Sequence, residues 1–515
     1  VRVNVRAPQF RVRISPLFEK SGLSEDLLHS AIRHIRVSRQ MGSAAGSFQL
    51  TILPRYSREP WTRMLSPMDY VEISLWVPPR EPRVVMRGFV DTVAESFTIE
   101  SGTPQWQIIV AGRDYGKIGL ITKLFYLDLE RRKIPQELKL FQDWQTGFDA
   151  LGAGDRYRGI TPAAKRIDSS EQTPSLTHPG VQTPPNIPVP KYFYTAPQIM
   201  AVVFETFLEP QFNLIREQYN REKPPLPGLV STQDALDEQM VTMAPQYMLR
   251  STWQPYTDVW ALLRTYQNAP WRELYWDDEP NGPVLITRPT PWLSEGGKFL
   301  SEVAATVQRV DLDGTDIVAQ VLSRTDEEVR NFFFTYPGVF ASFVAPTKLF
   351  GTDYEGMMAR GGQLFRENPI LTTEADSSNF RFSSDYRIYG LRLAEFPSQY
   401  FDYDTMLKKD EVKSAWERLR QVGATANKRL VEALGHGGIL ENGTLSLKGN
   451  EEIRLGCYLN IPPWPFAGYV ERLTHEFVQG STQDGRFMTT VGITRGRRQV
   501  VRPGSKILDV EVSLP

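Results

Sequence analysis

One strand pattern occurs twice in this chain, near its two ends, and the copies superimpose almost residue for residue. The first reads Arg87-Gly88-Phe89-Val90-Asp91-Thr92-Val93 and reaches Phe97 nine positions after its glycine; the second reads Ala467-Gly468-Tyr469-Val470-Glu471-Arg472-Leu473 and reaches Phe477 nine after its own. Each continues through a turn into a closing strand. The first turn is Glu100-Ser101-Gly102-Thr103-Pro104, before the strand over 106–113; the second is Gly480-Ser481-Thr482-Gln483-Asp484-Gly485, before the strand over 487–496. The second turn is one residue longer, a difference that surface loops tolerate. A small β-domain duplicated within one chain is a device for building rings, because symmetric assemblies close by repeating one contact.

The rest of the N-terminal region has the same two-residue period. Phe10-Arg11-Val12-Arg13-Ile14, the stretches 31–37 and 47–53, and Tyr70-Val71-Glu72-Ile73-Ser74-Leu75-Trp76 all broadly alternate apolar and polar residues, as half-buried antiparallel strands do. Glycine-bearing and proline-bearing turns at 41–46 and 78–82 separate them. With the strand at 84–93 and its closing partner, they predict a strongly curved sheet or small barrel, closure being what removes exposed sheet edges.

At 515 residues the chain is too long for one core and divides into roughly three or four domains. Residues 161–190 are too rich in proline for regular structure, with Thr183-Pro184-Pro185-Asn186-Ile187-Pro188-Val189-Pro190 at their end. They read as an extended surface connector. Helical spacing predicts core-facing helices over 196–209, 256–267 and 411–434, the last stopped by Gly435-His436-Gly437-Gly438. The strands Arg272-Glu273-Leu274-Tyr275-Trp276-Asp277 and Val284-Leu285-Ile286-Thr287-Arg288-Pro289 flank a turn over 278–283 and predict a hairpin. Further strands are expected at 307–310 and 317–322, so a second barrel would draw on pieces of about 270–335 and again of 451–500. Residues 341–382 are irregular and suggest an insertion.

Candidate chemistry is sparse. Formal net charge is -1, from 59 basic and 60 acidic residues, so no global field draws the chain to nucleic acid or an anionic membrane. No apolar stretch approaches the ~18 residues of a membrane helix, and the start Val1-Arg2-Val3-Asn4-Val5-Arg6 lacks the layout of a secretion signal. The single cysteine, Cys457, excludes an intramolecular disulfide and is expected to be a small core residue. The five histidines, His29, His34, His178, His436 and His475, form no short metal-binding pair; His475 is expected on a polar strand face or an interface. No nucleophile elbow, phosphate-binding loop or dinucleotide fingerprint occurs. The acidic pairs Asp277/Asp278 and Glu451/Glu452 would suit a glycosidase on paper, but are expected to be solvated surface groups. The basic run Arg495-Gly496-Arg497-Arg498 is expected to be a solvated strand end or a protein–protein salt contact. No catalytic, cofactor-binding or metal-binding residue is assigned, and no cofactor is expected.

In the order of its motifs the chain resembles the tail hub proteins of contractile-tailed bacteriophages, the baseplate hub group related to the late-control D family and to the hub half of type VI secretion spike proteins. The resemblance is carried by Met68-Asp69-Tyr70-Val71-Glu72-Ile73 and Met86-Arg87-Gly88-Phe89-Val90-Asp91, by Leu285-Ile286-Thr287-Arg288-Pro289, and by Tyr389-Gly390-Leu391-Arg392 before a long helix. It continues through Gly456-Cys457-Tyr458-Leu459, Gly468-Tyr469-Val470-Glu471-Arg472-Leu473-Thr474-His475 and Ile493-Thr494-Arg495-Gly496. It implies a β-rich α+β multidomain fold with two tail-tube-like antiparallel barrels and intervening α/β and loop-rich insertions. The implied divisions are a first barrel over 1–130, a loop-rich outer domain with its proline-rich arm over 131–255, and strands and a helix contributing to the second barrel over 256–340. An insertion and long helix would occupy 341–450, and the rest of the second barrel 451–515. The resemblance further implies a homotrimer forming a pseudo-sixfold ring that joins the hexameric tail tube to the trimeric tail spike or needle, with baseplate wedge proteins and the tape measure protein as further partners. The genome would pass through the channel without specific binding. Such a protein is a non-enzymatic virion component, assembled in the host bacterial cytoplasm. The chain departs from hubs fused to a lysozyme-like or needle domain, since too little sequence follows Arg498 for either. Rival readings are the hub of a non-viral contractile injection system and a tail-associated cell-wall hydrolase.

Overall fold

The computed structural model describes residues 7–17, 30–54, 61–100, 103–125, 440–462, 466–479 and 485–498, with further pieces between 193 and 434. The proline-rich stretch 161–190, the segment 341–382 and most of the expected helices over 196–209 and 411–434 lie outside the described residues.

The fold is β-rich, built on a 12-stranded sheet made of two like halves. The N-terminal half comprises β1 (Gln9–Ser15), β2 (Ile32–Gln40), β3 (Ser47–Ile52), β4 (Tyr70–Trp76), β5 (Arg83–Glu100) and β6 (Thr103–Asp114). A separate sheet contains β7 (Val230–Gln233), β8 (Arg272–Glu279) and β9 (Gly282–Pro289). The C-terminal half comprises β10 (Arg309–Asp311), β11 (Ile317–Ser323), β12 (Glu441–Lys448), β13 (Tyr458–Ile461), β14 (Phe466–Val478) and β15 (Arg486–Arg498). Three helices matter below: α1 (Gly116–Ile121), α2 (Glu209–Tyr219) and α3 (Val259–Gln267).

The halves share one topology. In space the first runs β1-β4-β5-β6-β3-β2 and the second β10-β13-β14-β15-β12-β11, so each strand has its counterpart nine labels on. Agreement extends to register. Val71 lies opposite Gly88 as Leu459 lies opposite Gly468, and Phe97 opposite Trp106 as Phe477 lies opposite Phe487. The same bulge interrupts both long hairpins, between Val90 and Thr92 in β5 and between Val470 and Arg472 in β14. A second matched irregularity falls between Ile32 and His34 in β2 and between Ile317 and Ala319 in β11. Other features depart from the match: β1 pairs β4 antiparallel, whereas the short β10 pairs β13 parallel, and the irregularities between Ile73 and Ser74, between Glu441 and Gly443 and between Ala467 and Tyr469 have no counterpart in the other half.

Alternation places every second side chain inside each half. In the N-terminal half, Phe10, Val12 and Ile14 of one end strand share a single core with Ile32, Ile35 and Val37 of the other, so the sheet curls back on itself as a small barrel. Leu445, Leu447, Cys457, Leu459, Val470, Val491 and Ile493 fill the other half; Cys457 is the small core residue the sequence suggests, and burial pushes its thiol up to about 11. Ordinary alternation sends Phe89 outward into a helical core with Tyr115, Phe212, Trp260 and Trp276, while its neighbour Val90 points inward.

Two expectations are revised. The β8–β9 hairpin forms as the turn chemistry dictates, but β9 pairs with β7 and not with the second barrel; strands that are neighbours in sequence had suggested membership of one sheet. The second half instead takes β12, whose Asn442-Gly443 step interrupts the strand signal.

The duplicated glycines lie where strands cross too closely for a side chain. A Cβ on Gly88 would lie 2.1 Å from the carbonyl oxygen of Arg113, and one on Gly468 would lie 2.4 Å from Cγ2 of Ile493. A main-chain carbonyl cannot withdraw as a side chain can. Gly88→Ala is therefore expected to cost about 1–3 kcal/mol or more and Gly468→Ala less, read from the midpoints of urea unfolding curves.

Candidate functional site

On the edge away from β15, the C-terminal part of β14 has no partner from its own half and pairs with β2 of the other half. His34 lies opposite Val478, Ile35 opposite Phe477, Val37 opposite His475 and Gln40 opposite Arg472. This antiparallel joint fuses the two halves into one sheet. Side chains reinforce it: Ser38 Oγ and Thr474 Oγ1 are 3.1 Å apart, His34 Nε2 lies 2.8 Å from Glu476 Oε1, and Arg33 Nη1 donates to Gln479 Oε1 at 2.5 Å. The hairpin tip crosses over as well. Phe477 and Phe487, from the C-terminal half, are 2% and 6% exposed and belong to the core of the N-terminal half, where the Phe477 ring centroid is 4.8 Å from that of Phe10.

The β8–β9 hairpin clamps both sides of the joint through buried charge. Arg39, on β2, meets Asp278 in a short contact, Asp277 at 3.4 Å and Asp114 at 3.5 Å. Arg87, the residue before the first duplicated glycine, meets Glu72 at 2.9 Å and Asp278 at 3.5 Å, and its main-chain N–H donates to Asp278 at 3.0 Å. Arg454 closes the group on Asp277 at 3.2 Å. Burial by itself lowers the pKa of Arg39, but the carboxylates of Asp278, Asp114 and Asp277 outweigh it and hold the guanidinium charged. Burial pushes the Asp114 carboxyl up to about 6, against the pull of Arg39.

At its other end the hairpin grips the C-terminal half. Glu273 accepts from the Tyr469 hydroxyl at 2.6 Å and from Arg288 at 3.1 Å, and lies 3.4 Å from Arg495. Arg495 stacks over the Tyr469 ring at 3.9 Å and pairs with Glu471 at 3.1 Å; its left-handed backbone, φ 57°, aims it there. Tyr469 occupies the position that Phe89 holds in the first copy, and its hydroxyl gives the second copy a polar attachment in place of an aromatic one.

These placements correct three sequence expectations. Asp277 and Asp278 are buried, not solvated, because the hairpin is inserted between arginines of the two halves; Glu451 is buried beside Arg80 at 3.4 Å, and only Glu452 has a half-exposed side chain. Arg495 and Arg497 are interior, with Arg497 Nη2 donating to the carbonyl of Leu293 at 3.3 Å. His475 is buried at the joint, its Nδ1 3.1 Å from Thr489 Oγ1. The acidic group Asp114, Asp277 and Asp278 is neutralised by guanidinium groups, and among the described residues no group of three or more His, Cys, Asp and Glu is placed to hold a metal. The arrangement can transmit force and fix orientation, since breaking any one pair leaves a buried charge unmatched.

The chain matches no protein-family model and no curated protein. Among solved structures it is similar to the 43 kDa tail protein of prophage MuSo2 from Shewanella oneidensis, at 8% identity and a TM-score of 0.39 over 95% of this chain and 97% of that one. It is similar at 9% identity and a TM-score of 0.38 to a tail protein from Neisseria meningitidis MC58, over 95% and 96% of the two chains. A third likeness is to the Francisella PdpA-VgrG complex, with 9% identity and a TM-score of 0.37; it spans 97% of this chain but 60% of that one.

Burial lowers the His475 pKa to about 3, with Arg39 and Arg83 adding to the effect. Because its folded value lies below the unfolded one, its contribution is complete above about 6.5 and is lost as pH falls toward 3. Asp114 has the opposite sign: its folded value is raised, so its contribution is complete below about 4 and is lost as pH rises through 6. His475→Gln is therefore expected to remove about 2 kcal/mol of acid sensitivity between pH 7 and pH 5, leaving a protein whose stability declines as pH rises from 4 to 6. Denaturant titrations of both proteins at stepped pH measure the difference.

Proposed function

We propose that this chain is a structural hub subunit of a bacteriophage contractile tail, a homotrimer whose six sheet halves surround a channel. The observation that carries the reading is the joint itself: two halves of one topology are fused edge to edge, head to tail. A head-to-tail contact is not self-complementary, so it either repeats until a ring closes or continues as a filament. Three chains with two halves each would present six similar units to a hexameric tail tube and three identical ones to a trimeric spike or needle. The resemblance of the motif order to tail hubs supports the closed ring over the filament.

In this reading the work is mechanical. The barrels line a passage through which the genome moves without specific binding, and the segments between the halves face baseplate wedge proteins. The charged residues of the joint hold the halves at a fixed angle and perform no chemistry, so the chain is not an enzyme. It belongs to the virion baseplate, after assembly in the bacterial cytoplasm.

Native mass spectrometry of the purified protein, alone and with tail tube and spike proteins, is expected to give a trimer, and averaged electron micrographs a ring of six similar units. A chain that stays monomeric with both partners present sinks the reading. A zymogram of the same preparation should show no clearing of peptidoglycan; robust clearing would put the hydrolase first.

A further inference from the structure

The two halves differ in one respect that their common topology makes informative. In the C-terminal half, the outer edge of β14 and its aromatic tip are covered by the other half. The same features of the N-terminal half are open. Beyond Phe89, no strand among the described residues pairs with the β4-facing edge of β5, and none pairs with the free edge of β11, the counterpart of β2.

Exposure follows the same division. Phe97 and Trp106 correspond to Phe477 and Phe487 by register, and their rings pack together at 4.5 Å, yet they are 47% and 48% exposed. The receiving side shows a matching deficit. Ile317, Gln320 and Leu322 of β11 correspond to Ile32, Ile35 and Val37 of β2. The three residues of β2 are fully buried under the incoming hairpin, whereas Ile317 and Leu322 are half-buried and Gln320 is exposed. Each half thus carries both parts of one joint, and the chain uses only one of each.

We propose that the open tip and edge of β5 in one copy dock on the open edge of β11 in a second copy, in the register of the internal joint. Translated residue by residue, the pairing sets Phe97 opposite Gln320, Ser96 opposite Val321, Glu95 opposite Leu322 and Ala94 opposite Ser323. Phe97 and Trp106 then cover the barrel end formed by Ile317, Gln320 and Leu322. Charge agrees with this register. In the internal joint Arg39 lies close enough to His475 to affect its titration. The counterparts are Arg324 and Glu95, one diagonal step apart on the same face of the new pair and of opposite sign, a spacing that long side chains bridge. The inference rests on the ring reading above and adds to it which edges meet, and at which residues.

The test is a designed cross-link. In the template Ser38 and Thr474 have side-chain oxygens 3.1 Å apart, so cysteines at their counterparts Ser323 and Ala94 would be within disulfide reach. Mild oxidation of the full chain carrying Ala94→Cys and Ser323→Cys is expected to give covalent dimer and closed trimer on a non-reducing gel. Each single variant should give neither, as should the one-residue slip pair Ala94→Cys with Leu322→Cys, whose side chains leave opposite faces. Phe97→Asp with Trp106→Asp is expected to weaken assembly while the far-ultraviolet spectrum stays that of the parent. A trimer that assembles but does not cross-link at 94 and 323, or that survives the aspartate pair at undiminished strength, overturns the inference and leaves the hub reading standing. A chain that remains monomeric with the tube and spike proteins overturns both.

Discussion

The antiparallel pairing of β2 with β14 is the contact on which the rest of the molecule depends. It satisfies the main-chain donors and acceptors of two strand edges that would otherwise face water or another protein, and it makes one sheet of two halves by joining strands more than four hundred residues apart in the chain. Burial of Phe477 and Phe487 in the neighbouring half adds apolar area to those hydrogen bonds, roughly 1.5–3 kcal/mol for each fully buried ring. The core of the N-terminal half is therefore completed by residues of the other half.

Charge fixes what the sheet pairing leaves free. Two barrels joined along a single strand pair retain a twist about that pair, and the inserted β8–β9 hairpin opposes it by bonding to both. Its Asp277 and Asp278 engage Arg39, Arg87 and Arg454 on one side, and its Glu273 and Arg288 engage Tyr469 and Arg495 on the other. Buried ion pairs are weak sources of net stability because both partners must be desolvated, but removing one partner is costly. They serve well as locators. Gly88 and Gly468 act with them, since the close strand crossings they permit bring Arg87 and Tyr469 to the hairpin.

Much of this was legible in residue order. The Gly-aromatic-Val repeat marked β5 and β14, the alternation at 10–14, 31–37, 47–53 and 70–76 marked the first four strands, and Asp278-Glu279-Pro280-Asn281-Gly282-Pro283 marked the hairpin turn, because each signal is local. The misreadings share a cause. Asp277, Asp278, Glu451, Arg495 and Arg497 look like surface residues when each is considered by itself, and the partners that bury them lie far away: Arg39 is 239 residues from Asp278 and Glu273 is 222 from Arg495. The strand β12 is harder to read because Asn442-Gly443 breaks its start and leaves only Leu445 and Leu447 to mark the alternation.

The order of apolar and polar residues by itself determined that this chain carries one Gly-aromatic-Val hairpin twice and that its N-terminal region is a series of alternating strands, because strand period and turn chemistry act over a few residues. Only the tertiary structure decided that the copies share one sheet, that an acidic turn lies among arginines, and that Phe477 is covered while Phe97 is not. Those outcomes depend on which distant edge reaches an unpaired row of N–H and C=O groups, and strand pairing of that kind leaves no local mark.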